Sequence, residues 1–322
     1  MIVTVTMNAA LDRTLTVPNF QRGQRHRASD KLTLAGGKGI VVARALKRMG
    51  VPVVATGLAG GRNGRRILEE LMAESILHDF VRIEDESRTS TAVIDPTSGA
   101  YTEIIEWGPL VHPEELAILR EKIDYLSRGA EMVVFAGSLP RGVDDAIYAE
   151  LIRDLNRRGV ASVLDTEGEW LRLGLEADPE FAAPNQGEAE ALVGQELSDE
   201  EDFVLALDTI GELGARNVLI THELGCFAQL RREKERGPAE RFRVVAPVVE
   251  PVSPVGAGSV LLAAFIAARL EKVPPEEALR RAVAAGAAST LEIGAGCFDA
   301  RQAGRLIGEV HASQLESVTA DR

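Results

Sequence analysis

Short apolar runs alternate with longer stretches of helical period along most of the chain. Residues 2–6, 53–56, 132–135, 161–164 and 217–221 are rich in β-branched side chains and bounded by polar residues or glycine. Continuous apolar segments of that length predict strands buried on both faces of a sheet. Between them, residues 40–49, 65–73, 113–126, 144–158, 187–193 and 200–213 carry apolar side chains at three- and four-residue spacing. That spacing predicts amphipathic helices, and strand and helix alternating so often predict a largely parallel sheet covered on both faces. Residues 13–35 and 86–107 break the alternation, with a period of two, turn residues such as Pro18-Asn19 and Pro96-Thr97-Ser98-Gly99, and no helix. They predict hairpins or edge strands off the main sheet, which either cover a sheet edge or form a lid over a site. The polar residues 313–322 predict a frayed end.

Composition narrows this picture. A chain of 322 residues accommodates one large α/β domain, and a single domain over 1–322 is expected. Aromatic residues are only 4%, so the core must be built from Val, Leu, Ile and Ala. A net charge of −13 argues against non-specific binding to nucleic acid or to an anionic membrane. It leaves room for a small anion in a cleft lined by Arg, Lys and backbone N–H groups. Cys226 and Cys297 show no metal-ligand spacing, which argues against a disulfide framework or a zinc site and for a cytoplasmic location. The N-terminal residues lack the pattern of a signal peptide, and the longest apolar runs, such as 260–268, are too short to span a bilayer.

Several segments can carry chemistry. Gly36-Gly37-Lys38-Gly39 follows a strand and opens a helix, so backbone N–H groups there can meet an anion. Its spacing is that of neither a Walker A loop nor G-x-G-x-x-G, and taken alone a tight turn explains it equally well. Gly256-Ala257-Gly258-Ser259 precedes an apolar helix over 260–270 and offers successive N–H groups, or again a tight turn. Ser138 lies where a strand runs into a Gly-Ser turn, at the strand end where open α/β sheets bind ligands. Asn185 and Glu188 have the spacing of a helix capping box.

Taken in order, these pieces resemble a family. Asn8 to Asp12, the 36–39 run, Thr56-Gly57 with Gly60-Gly61, and Gly137-Ser138-Leu139-Pro140 match the PfkB branch of the ribokinase-like sugar kinases. So do Leu164-Asp165-Thr166, Gly168-Glu169, Pro184-Asn185 with Glu188, and Gly256-Ala257-Gly258. Within that family the chain looks most like the 1-phosphofructokinase and tagatose-6-phosphate kinase group. The resemblance implies a ribokinase-like α/β fold: a mainly parallel, Rossmann-like sheet with helices on both faces and a small β-sheet lid, through which two subunits pair as a homodimer. It also implies an ATP-dependent kinase acting on a sugar phosphate. Asp12, Gly36, Gly37, Lys38 and Ser138 would face the sugar, with Arg27 and Arg88 near its phosphate. Asn185 and Glu188 would organise Mg²⁺, chiefly indirectly, and the ATP phosphates. Gly256, Ala257 and Gly258 would meet the transferred phosphoryl group, and the adenine would lie near Thr221, Gly225 and the helix over 284–288.

The departures from the family pattern gather on the same cleft. Ser259 stands where the family has its catalytic aspartate, and a hydroxyl cannot accept the substrate proton at neutral pH without a base of its own. Val41 and Ile105 replace amide side chains, Ala183 replaces a lysine, and the loop over 221–225 is shortened. Three functions follow: a kinase with another group as base (a water, Glu250 or another carboxylate) or one that works at a slow rate without it, a kinase with a shifted substrate, or a non-catalytic protein that binds a sugar phosphate or nucleotide. His222 is the only histidine near the expected nucleotide cleft, and a surface role is assigned to it.

Overall fold

The computed structural model describes residues 1–231 and 239–315. In chain order its strands are β1 (Ile2–Thr6), β2 (Ala10–Thr16), β3 (Asp30–Gly36), β4 (Val53–Gly60), β5 (Leu77–Ile83), β6 (Arg88–Asp95) and β7 (Ala100–Ile105). They continue with β8 (Met132–Ala136), β9 (Ala161–Asp165), β10 (Phe181–Ala182), β11 (Asn217–His222), β12 (Gly225–Leu230), β13 (Glu240–Val245) and β14 (His311–Leu315). The helices are α1 (Lys38–Arg48), α2 (Gly61–Ala73), α3 (Pro113–Ser127), α4 (Ile147–Arg157) and α5 (Gly168–Leu175), then α6 (Gln186–Val193), α7 (Glu200–Glu212), α8 (Ala257–Leu270), α9 (Pro275–Ser289) and α10 (Ala300–Leu306).

Ten strands form one sheet in the order β14-β13-β12-β11-β10-β9-β8-β1-β4-β5. Every pairing from β11 to β5 is parallel, and those between β11 and β14 are antiparallel. Alternation along the central strand separates the core into two layers. Ile2 packs with residues of α1, α2, α8 and α9, whereas Val3 and Val5 pack with residues of α3 to α7. No helix among the described residues is long and apolar enough to cross a membrane.

The period-two stretches form a separate four-stranded sheet in the order β3-β2-β6-β7. β2 starts at Ala10, so only residues 7–9 lie between β1 of the large sheet and the small one. β7 is its exposed edge: Ile104 and Ile105 face solvent, and Trp107 just beyond is 90% exposed.

Some expectations change at element ends. The helix expected from 144 begins at Ile147, because Asp144 closes a turn by accepting from the N–H groups of Ala146 (2.8 Å) and Ile147 (3.0 Å). The helix expected from 260 begins at Ala257, since Gly256 at φ 80° starts it early. The frayed end at 313–322 is revised in part. Residues 313–315 pair in β14, whose ladder to β13 covers what would otherwise be an unpaired strand edge, and 316–322 lie outside the described residues.

Arg44 ties the layer around α1 together. Only 1% exposed, its guanidinium donates to Glu74 (2.5 and 2.7 Å), to the Ala35 carbonyl at 2.7 Å and to the Ala295 carbonyl at 2.8 Å. Removing one partner of a buried ion pair strands the other. Arg44→Met is therefore expected to lower the unfolding free energy by about 3–5 kcal/mol, measured by urea denaturation. A fall below about 1 kcal/mol, the scale of an exposed pair, would contradict this account.

Candidate active site

The site is assembled where β3 turns into α1. Gly37 sits at φ 102°, a left-handed value that favours glycine, and a Cβ there would stand 2.6 Å from Thr6 Cγ2. A Cβ on Gly39 would stand 2.4 Å from Thr6 Oγ1, so the missing side chains let the start of α1 press onto β1. This close approach places Lys38 at the carboxyl ends of the central strands. Its ammonium donates to Asp165 Oδ1 at the end of β9 (2.8 Å) and to Glu188 Oε1 in α6 (2.7 Å). Burial alone would lower the Lys38 pKa, but the two carboxylates outweigh it and hold it raised. Burial pushes Glu188 up, against the pull of Lys38.

Glu188 is fixed on its other side by a reciprocal cap. Its Oε2 accepts from the Asn185 N–H at 2.8 Å, and Asn185 Oδ1 accepts from the Glu188 N–H at 2.9 Å. Asn185 also bridges to Thr221 at the end of β11. The capping box and the contact with Lys38 thus coincide at Glu188.

Ser138 follows Gly137 (φ 98°) at the end of β8 and accepts from Asn8 Nδ2 at 3.1 Å. Arg88, at the start of β6, donates its Nε to the Asn8 carbonyl at 3.3 Å. Asp12 in β2 lies against the backbone of Gly36, where a Cβ would fall 2.0 Å from its carboxyl carbon. A cleft separates the small sheet from two loops here, with Asp12, Ser90 and Glu103 on one side and Val255, Gly294 and Ala295 on the other. Ser90 donates to Glu103 at 2.8 Å. Burial raises Asp12 from the ordinary 3.8 to about 6, opposed by Arg88 and Arg44 and assisted by Glu103.

The third part is the Gly256 turn. Gly256 caps α8, and the N–H groups of Gly258 and Ser259 fall in its first turn, where a helix offers no internal acceptor. The N–H of Ala257 donates instead to the Pro254 carbonyl at 3.3 Å. Ser259 is buried in the same turn. Val41 explains its own apolarity: it packs under this loop, with Cγ1 3.1 Å from where a Gly256 Cβ would stand. A Cβ on Gly258 would lie 3.4 Å from Thr221 Oγ1, which brings the β11 end to the turn.

The remaining candidates are dispersed. Arg27 is exposed on the β2–β3 connection, and among the described residues no ion pair or hydrogen bond joins it to the site. Ile105 is exposed on β7, Ala183 is buried before α6, and Glu250 is exposed on the connection before α8. The shortened loop is a tight β-hairpin in which His222 pairs with Gly225, and a Cβ on Gly225 would fall 2.0 Å from the Val244 carbonyl. The surface role assigned to His222 is corrected. Its ring packs against Phe203 (5.3 Å) and Phe227 (5.5 Å), because the hairpin folds it onto that stacked pair. The sequence assigns no role to Asp165 as the partner of Lys38 or to Glu103 in the cleft. An aspartate closing a buried strand was the available signal for Asp165.

Residues 3–301 match the sequence pattern of the pfkB family of carbohydrate kinases, and the chain belongs to that family. Its architecture is the ribokinase-like α/β fold. It is 31% identical to a 1-phosphofructokinase of Rhodobacter capsulatus over 294 residues, 91% of each chain. It superposes on a possible 1-phosphofructokinase from Thermotoga maritima with TM-score 0.87 at 25% identity, covering 98% of this chain and 100% of that one. Phosphofructokinase-2 from Escherichia coli, solved with substrates and products, gives TM-score 0.86 at 29% identity, covering 95% and 98%.

The raised Asp12 carboxyl sets a pH dependence. Between 3.8 and about 6 the folded chain holds a proton that the unfolded chain has released, so Asp12 contributes stability below that window and loses it as pH rises through it. Asp12→Asn should therefore gain stability relative to the parent as pH rises from 4 to 7. Urea unfolding at a series of pH values measures this, and a difference independent of pH would contradict it.

Proposed function

We propose that the chain is an ATP-dependent sugar-phosphate kinase of the phosphofructokinase or tagatose-6-phosphate kinase type, working slowly because Ser259 replaces the general base. The observation that carries this reading is convergence. Lys38 joins Asp165 and Glu188, Ser138 is linked through Asn8 to Arg88, Asp12 lies beside Gly36, and the start of α8 lies beside Thr221; Asp165, Ser138 and Thr221 mark the carboxyl ends of parallel strands, where open α/β sheets bind ligands. The names of the similar phosphofructokinases support the substrate class.

Ser138, expected from the sequence to face the sugar, is joined through Asn8 to Arg88, so in this reading Ser138 and the guanidinium of Arg88 together take the sugar's phosphate, a planar fork being suited to its oxygens. Asp12 accepts from a sugar hydroxyl. The free N–H groups at the start of α8 stabilise negative charge that develops on the phosphoryl group in transfer. The ATP lies toward Thr221, Gly225 and α9. The donor set fits Mg²⁺ through its water shell: one Asp165 oxygen and both Glu188 oxygens are already engaged, and Mg²⁺ usually keeps several of its waters. Bound there, the ion would neutralise charge on the ATP phosphates. The exposed apolar residues of β7 and Trp107 support a homodimer paired through the small sheets, acting as lids, and the cytoplasm suits such an enzyme.

Ser259 itself favours a second reading, a non-catalytic protein that binds a sugar phosphate or nucleotide. ATP consumption with fructose 1-phosphate, fructose 6-phosphate and tagatose 6-phosphate separates the two. Turnover is expected with at least one of them, and Ser259→Asp should raise kcat by about 10²–10⁴, the range a general base supplies. Silence from both proteins, with binding retained, would replace the first reading by the second.

A further inference from the structure

Asn8 lies between the two sheets, on the short passage from β1 to β2, and is only 7% exposed. Its side-chain N–H₂ donates to Ser138 Oγ at 3.1 Å, and its main-chain carbonyl accepts from Arg88 Nε at 3.3 Å. Its own Oδ1 is buried with no partner. Gly108 covers that oxygen so closely that a Cβ there would stand 2.6 Å from it. Native proteins pair most buried polar atoms, so an orphan acceptor kept under a glycine calls for an explanation other than stability.

The direction of the two hydrogen bonds supplies one. A hydroxyl that accepts from Asn8 keeps its own proton to donate elsewhere. A guanidinium held at Nε keeps its terminal N–H groups for another acceptor. One residue therefore leaves two donors, from two different sheets, unspent.

We propose that Asn8 is a positioning residue that sets the donor polarity of Ser138 and Arg88 for a phosphorylated ligand. This rests on the reading of Ser138 and Arg88 as phosphate-facing. Asn8 touches no reacting atom; its side chain acts through the Ser138 hydroxyl, and its backbone aims Arg88. Losing the side chain frees that hydroxyl to turn its proton away, and affinity for the phosphorylated ligand falls without loss of nucleotide binding.

The test is titration calorimetry of the full chain with fructose 1-phosphate, with ADP as control, on Asn8→Ala, Gly108→Ala, Ser138→Ala and the Asn8→Ala/Ser138→Ala pair. Gly108→Ala keeps the amide but displaces it, which guards against misfolding of the direct variant. Asn8→Ala and Gly108→Ala should each raise the Kd for fructose 1-phosphate about tenfold or more, the scale of one hydrogen bond to a charged group, with the ADP Kd unchanged. In the Ser138→Ala background the effect of Asn8→Ala should largely vanish. Additive losses, or equal losses for ADP, overturn the proposal and leave Asn8 a structural residue. The same titrations use fructose 6-phosphate or tagatose 6-phosphate if the parent protein does not bind fructose 1-phosphate, and a parent that binds none of the three overturns the phosphate-facing reading with it.

Discussion

The site depends on one electrostatic constraint: two carboxylates, Asp165 at the end of β9 and Glu188 in α6, share a single ammonium, that of Lys38. Side by side with their charge unmatched, such carboxylates repel, and one of them protonates. The ammonium lets the ends of β9, α1 and α6 approach. It reaches them only because Gly37 and Gly39 allow α1 to rest on Thr6. The close helix–strand packing and the ionic pair are thus two aspects of one arrangement, with Asn185 fixing the far oxygen of Glu188.

Much of this was legible along the chain. Buried strands such as β1, β8 and β11 announce themselves because both their faces meet helices, so their residues read as continuous apolar runs. The small sheet announced itself by the period of two and the turn residues of its sequence. Glycines 36, 37 and 39 were legible as a close approach, and the capping box at Asn185 and Glu188 by its spacing.

What stayed hidden was relational. β12 and β13 carry no strong period: Gly225-Cys226-Phe227-Ala228-Gln229-Leu230 is buried at every position yet includes glycine and glutamine, so tertiary context decides it. Asp165 lies 127 residues from Lys38, and no local pattern reports a partner so distant. Val41 read as a lost polar contact; the fold shows it filling space beneath the Gly256 turn, a packing role that residue type alone does not distinguish. His222 likewise finds its place only when the hairpin folds it onto Phe203 and Phe227.

The exposed edge of the small sheet has a practical consequence. The chain holds two tryptophans. Trp170 is half-buried, with its indole N–H donating to Asp145 at 2.8 Å, whereas Trp107 stands in water just past β7. Their emission therefore comes from two distinct surroundings. Any event that covers the edge of the small sheet moves Trp107 from water into an apolar setting and shifts its fluorescence to the blue, so the protein carries its own optical reporter of that edge.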